Sequence, residues 1–197
     1  MRAAAAFLAF LALLAAPAGA GVSRDAIDLI NVALDPEYAS FLVGPISYLA
    51  SDAEVESYLK LTRDEEAAAF IERFWAARDP DPERPGNPVR EQAEQRAIEA
   101  DRRFSEAGVS GRRTDRGSIY VLHGEPESIV YEPSPLYGEP PLEHWRYPAG
   151  APVGLDGKRP VRLYRFVKRG DVTAFYIPGR PGRYTDKDPR PPRGGGR

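Results

Sequence analysis

Cysteine is absent from the 197 residues. This excludes disulfides, thiolate metal sites and a cysteine nucleophile together, so stability must come from packing alone. Histidine occurs only twice, which leaves little material for imidazole acid–base or metal chemistry. Net charge is nearly absent as well: 27 basic against 29 acidic residues give −2, so the chain as a whole is no polyanion binder. No phosphate-cradling glycine loop, dinucleotide fingerprint, G-x-S-x-G elbow or zinc spacing occurs. The expectation is a protein with no cofactor, no metal and no nucleic-acid partner.

The longest apolar run is short and stands at the start. Met1-Arg2 precede uninterrupted apolar residues 3–16, followed by Pro17-Ala18-Gly19-Ala20-Gly21. One positive charge, a brief apolar core and small residues at Ala18 and Ala20 match a secretory signal cut after Ala20. The rival reading is an uncleaved anchor. Pro17 and Gly19 weigh against it, since they interrupt the run before the roughly 20 apolar residues that span a bilayer. With Gly21 after the cut, no lipid can be attached there. Export across a bacterial-type inner membrane is expected, to the periplasm or beyond, with no membrane span after cleavage.

What remains reads as an N-terminal helical extension over residues 21–50, an α+β domain over 51–177 and a basic tail over 178–197. The apolar residues from Asp25 to Val32 suggest a short first helix. Gly44-Pro45 must break the next apolar stretch. Ser51-Asp-Ala-Glu54 is a capping box, and Thr62-Arg-Asp-Glu65 reads as a second one. The second box precedes Ala67, Phe70, Ile71, Phe74 and Trp75, an apolar stripe at helical spacing. Asn87-Pro88 reads as an N-cap with proline at the first helical position, opening a helix to about Phe104. After Gly117 the period changes. Residues 118–123 read as a strand with apolar side chains on both faces, and 128–131 extend or pair with it. Further strands are expected at 143–147, 161–168 and 171–177, the last two joined through Arg169-Gly170. The fold class is α+β, with N-terminal helices packed on a small, mainly antiparallel sheet of about four strands. Residues 178–197 hold Arg180, Arg183, Lys187, Arg190, Arg193 and Arg197 against Asp186 and Asp188, in a proline- and glycine-rich context that cannot build a core.

Several short motifs occur in a recognisable order. Phe70-Ile-Glu-Arg-Phe-Trp75 leads to Arg78-Asp-Pro80. Gly111-Arg-Arg-Thr-Asp-Arg-Gly117 then runs into Ile119-Tyr-Val-Leu-His-Gly-Glu-Pro126. Together they resemble the GWxTD domain family over about residues 52–177. One position departs from the pattern: the family's signature tryptophan is Arg112 here. The resemblance implies an α+β architecture and an envelope location, and it implies no activity. At the level of fold alone, the order of a helical start, a strand ending in G-x-P, a W-x-Y strand and a closing hairpin is also similar to small outer-membrane assembly lipoproteins.

The candidate binding residues are Arg112, Arg113, Thr114, Asp115, Arg116 and Gly117, with Gly124 and Pro126 after them. Two readings compete for this loop. In one it is a turn, with Thr114 capping, Asp115 accepting amide bonds and Arg116 paired to a carboxylate. In the other, its three arginines face an anion. His123 and Glu125 with Asp115 could serve a hydrolase as acid and base, no catalytic residue being assigned. Asp79, Asp81 and Glu83 alternate with prolines as a weak cation motif or a solvated turn. Tyr131, Tyr137, Trp145 and Tyr147 could line a sugar or peptide groove. The leading expectation is a non-enzymatic module that binds an envelope protein through its sheet edge or the 111–117 loop.

Overall fold

The computed structural model describes residues 26–135 and 137–177. The leader with its cleavage site and the basic tail lie outside the described residues. Among the described residues no helix is long and apolar enough to cross a membrane.

A 3-10 turn over Ala26–Leu29 stands where a short first helix was expected. The stretch after it is broken at Gly44-Pro45 as proline requires, into α1 (Pro36–Ala39) and α2 (Ile46–Leu49). Helix α3 (Asp52–Leu59) starts with the capping box complete: Ser51 Oγ accepts from Glu54 N–H, and Glu54 accepts from Ser51 N–H at 2.7 Å. The second box does not form. Helix α4 (Asp64–Ala76) begins at an extended Arg63 whose side chain caps nothing, so its free amides face a first turn carrying Asp64, Glu65 and Glu66. These elements share one core, in which Leu29, Leu34 and Leu42 meet Val55, Tyr58 and Ala67. Asn31, buried at 4% exposure, binds the segment preceding α1 to the end of α3 by donating to the carbonyls of Tyr58 and Leu61 at 2.8 and 2.9 Å.

Arg78 closes the end of α4. It donates to the Phe74 carbonyl one turn back, to the Leu49 carbonyl and to both oxygens of Glu54, and its guanidinium lies 3.5 Å from the Phe74 ring centre. Its carboxylate partner is thus Glu54 rather than the adjacent Asp79, whose Oδ1 accepts from Asp81 N–H in a turn. Asn87 caps α5 (Pro88–Phe104) through Val89 and Arg90 N–H and donates to the Trp75 carbonyl. The alanine stripe Ala93, Ala97 and Ala100 of α5 is buried, as a closely packed helix requires.

The main correction concerns residues 118–123. They form no strand but the body of α6 (Asp115–His123). Thr114 Oγ1 caps it by accepting from Gly117 N–H at 3.1 Å, and Gly124, at φ +77°, ends it. A short run such as Ile-Tyr-Val-Leu has no period of its own, so burial on both sides suits a core helix as well as a strand. Here the cap decides. The analogy to a strand ending in G-x-P goes with it.

The sheet is a four-stranded antiparallel meander in the order β1 (Ser128–Glu132), β2 (Leu142–Arg146), β3 (Leu163–Arg169), β4 (Val172–Phe175). Gly170, at φ +60°, makes the last hairpin tight. One face presents Trp145 and Phe166 to Phe104 and Ile119 of the helical layer. The chain is therefore α+β, with its helices first and its sheet last.

Candidate functional site

The 111–117 motif sits where α5, α6 and β4 meet. Gly111 packs so closely that an added Cβ would lie 1.9 Å from the Ala100 carbonyl oxygen, and one on Gly117 would lie 1.8 Å from the Gly111 carbonyl oxygen. Two glycines thus let the turn sit directly on α5 and α6 directly on the turn. The capping hydroxyl of Thr114 also donates to the Gly111 carbonyl at 2.8 Å, which closes the turn from inside.

Each polar side chain of the motif already has a place. Asp115 reaches the last strand and accepts from Phe175 N–H at 2.6 Å. Burial pushes its carboxyl above the ordinary range; this amide bond opposes the shift, and nearby Glu106 adds to it. Arg116 spans two carboxylates, Glu106 at 2.8 Å and Glu143 at 3.2 Å, with all three side chains at most 17% exposed. Glu106 in turn accepts from Thr173 N–H at 2.7 Å and from its hydroxyl at 3.0 Å, while Glu143 accepts from Trp145 Nε1 at 2.7 Å. The network joins helix, turn and sheet. Arg113 is exposed and donates to Ser40 Oγ.

Arg112, at the tryptophan position of the family pattern, folds back on α5. Its Nε and Nη2 reach Asp101 Oδ2 at 2.7 and 2.6 Å, and its backbone N–H reaches Oδ1 at 2.8 Å. Burial raises the Asp101 carboxyl, but the Arg112 bonds and charge outweigh it and hold it below the ordinary aspartate range. A depressed carboxylate stabilises the fold above its unfolded pKa, and that contribution is lost as pH falls through the folded value. Because both side chains are 30–41% exposed, the pair is worth no more than about 1 kcal/mol. Arg112→Gln should therefore raise the Asp101 pKa in an NMR titration and cost less than about 1 kcal/mol at pH 7. The difference from the parent should vanish in acid, below both pKa values.

The proposed binding residues do not form one surface. Gly124 and Pro126 are buried at the far end of α6, which at 1.5 Å per residue lies about 13 Å from Asp115. Nor does the structure bring His123, Glu125 and Asp115 together. His123 packs beside Tyr164 and Tyr147, and burial lowers its pKa. Glu125 is held by Arg103. Asp115 stands at the opposite end of the helix. The four rings considered for a groove also separate: Trp145 and Tyr147 are buried at 0% and 4% exposure, while Tyr131 and Tyr137 face solvent. His144 is buried on the other face of β2, with Nδ1 3.2 Å from Glu132 Oε1. The residues that complete the network, Glu106, Glu143 and Thr173, carry no mark in the sequence. Only the strand register could have found Glu143, by placing it on the face of Trp145.

What the motif does chemically is join layers. No curated protein and no solved structure matches the chain. The family model described as the GWxTD domain matches residues 35–150, from the turn before α1 through β2 and including the whole 111–117 motif. With well over half its length matched, the chain belongs to the GWxTD domain family.

Proposed function

We propose that this protein is an exported, non-enzymatic module of the bacterial envelope, and that it binds a partner protein along the free edge of its sheet. The observation that supports this reading is β1. It is an edge strand, laddered to β2 on one side, and it carries Val130 at 36% and Tyr131 at 68% exposure. An edge strand offers unpaired N–H and C=O groups as a template for another strand, and exposed side chains add selectivity. The 111–117 loop is the weaker half of the original expectation, because its side chains are occupied by Asp101, Glu106, Glu143 and the backbone of β4. Export rests on the leader: one arginine, a short apolar core and Ala18-Gly-Ala20.

A photo-crosslinking residue at position 131 of the full chain, expressed in intact cells, tests the edge. One discrete envelope adduct is expected, absent when the probe replaces the exposed Ile98 on α5. Equal background at both positions would overturn the edge reading. Mass spectrometry of the same sample should find the N-terminus at Gly21, and a cytosolic protein retaining Met1 would overturn export.

A further inference from the structure

An antiparallel strand turns its backbone groups alternately to one side and the other, so the register decides which groups of an edge strand are free. Tyr147 N–H donates to the Arg162 carbonyl at 3.1 Å, just past the β2–β3 ladder. By alternation Trp145 and Glu143 bond to β3, and His144 and Arg146 turn towards β1. Ser128, Val130 and Glu132 bond back to β2, which leaves the N–H and C=O of Ile129 and Tyr131 pointing away from the sheet. Among the described residues those groups bond to nothing. The other edge is different. Tyr176 N–H donates to the Arg165 carbonyl at 2.8 Å, so the outward groups of β4 are those of Thr173 and Phe175. Their N–H groups are already taken, by Glu106 at 2.7 Å and Asp115 at 2.6 Å. One edge of the sheet is plugged by side chains, and the other is open.

We propose that the open edge is filled by a second copy of this chain, β1 pairing antiparallel with β1 about a two-fold axis at Val130. The proposal rests on the edge reading above and names its occupant; it does not depend on export. A two-fold at Val130 sets Ile129 opposite Tyr131 of the second copy, so each outward N–H meets an outward C=O and none is left over. The side chains match as well. Val130 faces its own counterpart, a β-branched residue stands opposite an aromatic ring, and Glu132 faces Ser128 instead of another acid. Charge is complementary across the axis. Ser128 is small and lies in the same row as Arg146. The Arg146 side chain, 51% exposed, thus looks across it to Glu132 of the second copy, two strand spacings of about 4.8 Å away.

The plugged edge settles how the assembly ends. A head-to-tail pairing of β1 on β4 would generate an open filament, and Glu106 and Asp115 occupy the donors it needs. An isologous pairing of β1 with itself uses both free edges at once and closes at two chains, in one continuous sheet. A strand of five residues makes a small interface, so the dimer is reversible.

The lack of cysteine allows a direct test. Across the axis Val130 forms a non-hydrogen-bonded pair with itself, where Cα atoms stand about 4.5 Å apart, within disulfide range. Val130→Cys in the full chain should therefore become a disulfide-linked dimer under mild oxidation. Ile98→Cys on the exposed face of α5 should stay single, and so should Ser128→Cys, about 14 Å from its counterpart. Mixing Ser128→Cys with Glu132→Cys should restore the link, and its absence would overturn the register. Val130→Lys sets like charges face to face at the axis. It should weaken self-association in sedimentation by about tenfold or more, with the fold unchanged because the position is 36% exposed. The adduct from a photo-probe at position 131 should have twice the mass of the chain. Linking of Val130→Cys no faster than that of Ile98→Cys would overturn the second copy. A position-131 adduct of any other mass would do so while leaving the edge reading intact, and equal background at positions 131 and 98 would end both.

Discussion

Arg116→Met should destabilise the protein by about 3–5 kcal/mol in urea unfolding at pH 7. The reasoning is electrostatic. Arg116 is the cation between Glu106 and Glu143, whose side chains are 13% and 9% exposed. Removing it leaves two buried carboxylates to face each other with neutral donors, Thr173, Trp145 and the Tyr131 hydroxyl, beside them. The loss is therefore mainly the penalty of uncompensated charge and not the net worth of the ion pairs. Two results follow from that distinction. The triple variant Arg116→Met, Glu106→Gln, Glu143→Gln should recover a large part of the loss, since the amides keep a hydrogen-bonding oxygen and carry no charge. Added salt should not rescue the single variant as it would an exposed pair, because buried charges are poorly screened. A cost below about 1 kcal/mol would mean that water reaches the network and that the pairs behave as surface pairs.

Gly117→Ala should lower stability by on the order of 3 kcal/mol, or prevent folding. Helix propensity points the other way. Gly117 lies in the first turn of α6, where alanine would gain up to about 1 kcal/mol. Sterics decide the sign. The new Cβ would sit 1.8 Å from the Gly111 carbonyl oxygen and 2.6 Å from its carbon, and both atoms are backbone that cannot rotate aside. Helix α6 would have to leave the turn, pulling Asp115 from Phe175 and Arg116 from its glutamates. Gly150→Ala is the control: it meets nothing within 4 Å and has no positive φ, so its stability should change by less than about 1 kcal/mol, and its sign should favour alanine. If the two variants matched, the close approach would not matter.

How much of this was legible beforehand depended on how local each signal was. Ser51 with Glu54 and Asn87 with Pro88 named their helices because a cap is a bond between residues two or three apart. Gly44-Pro45 and Gly170 marked breaks for equally local reasons, a missing amide and a positive φ. The second capping box failed although its spacing was right, since Thr62 stands one residue before the true N-cap. Residues 118–123 were misread because four apolar residues in a row fit either period, and the cap that decides lies at Thr114, outside the run. In the 111–117 motif the turn reading anticipated the capping threonine and the paired arginine. The identity of the partners was not legible. Glu106 and Glu143 are separated from Arg116 by 10 and 27 positions, and nothing in a charged residue announces which distant ion it will meet.

The hydrogen bonds that Thr173 N–H donates to Glu106 and Phe175 N–H to Asp115 span 67 and 60 positions, and both start on the last strand. Two acids placed in the middle of the chain thus wait for β4 before their bonding is complete. A nascent chain that has not yet delivered β4 leaves Asp115 and one side of Glu106 to solvent, and the start of α6 is not yet fastened to the sheet. Completion of this polar network is in this way tied to the arrival of the last strand of the sheet, so the order of synthesis sets the order in which its charges are satisfied.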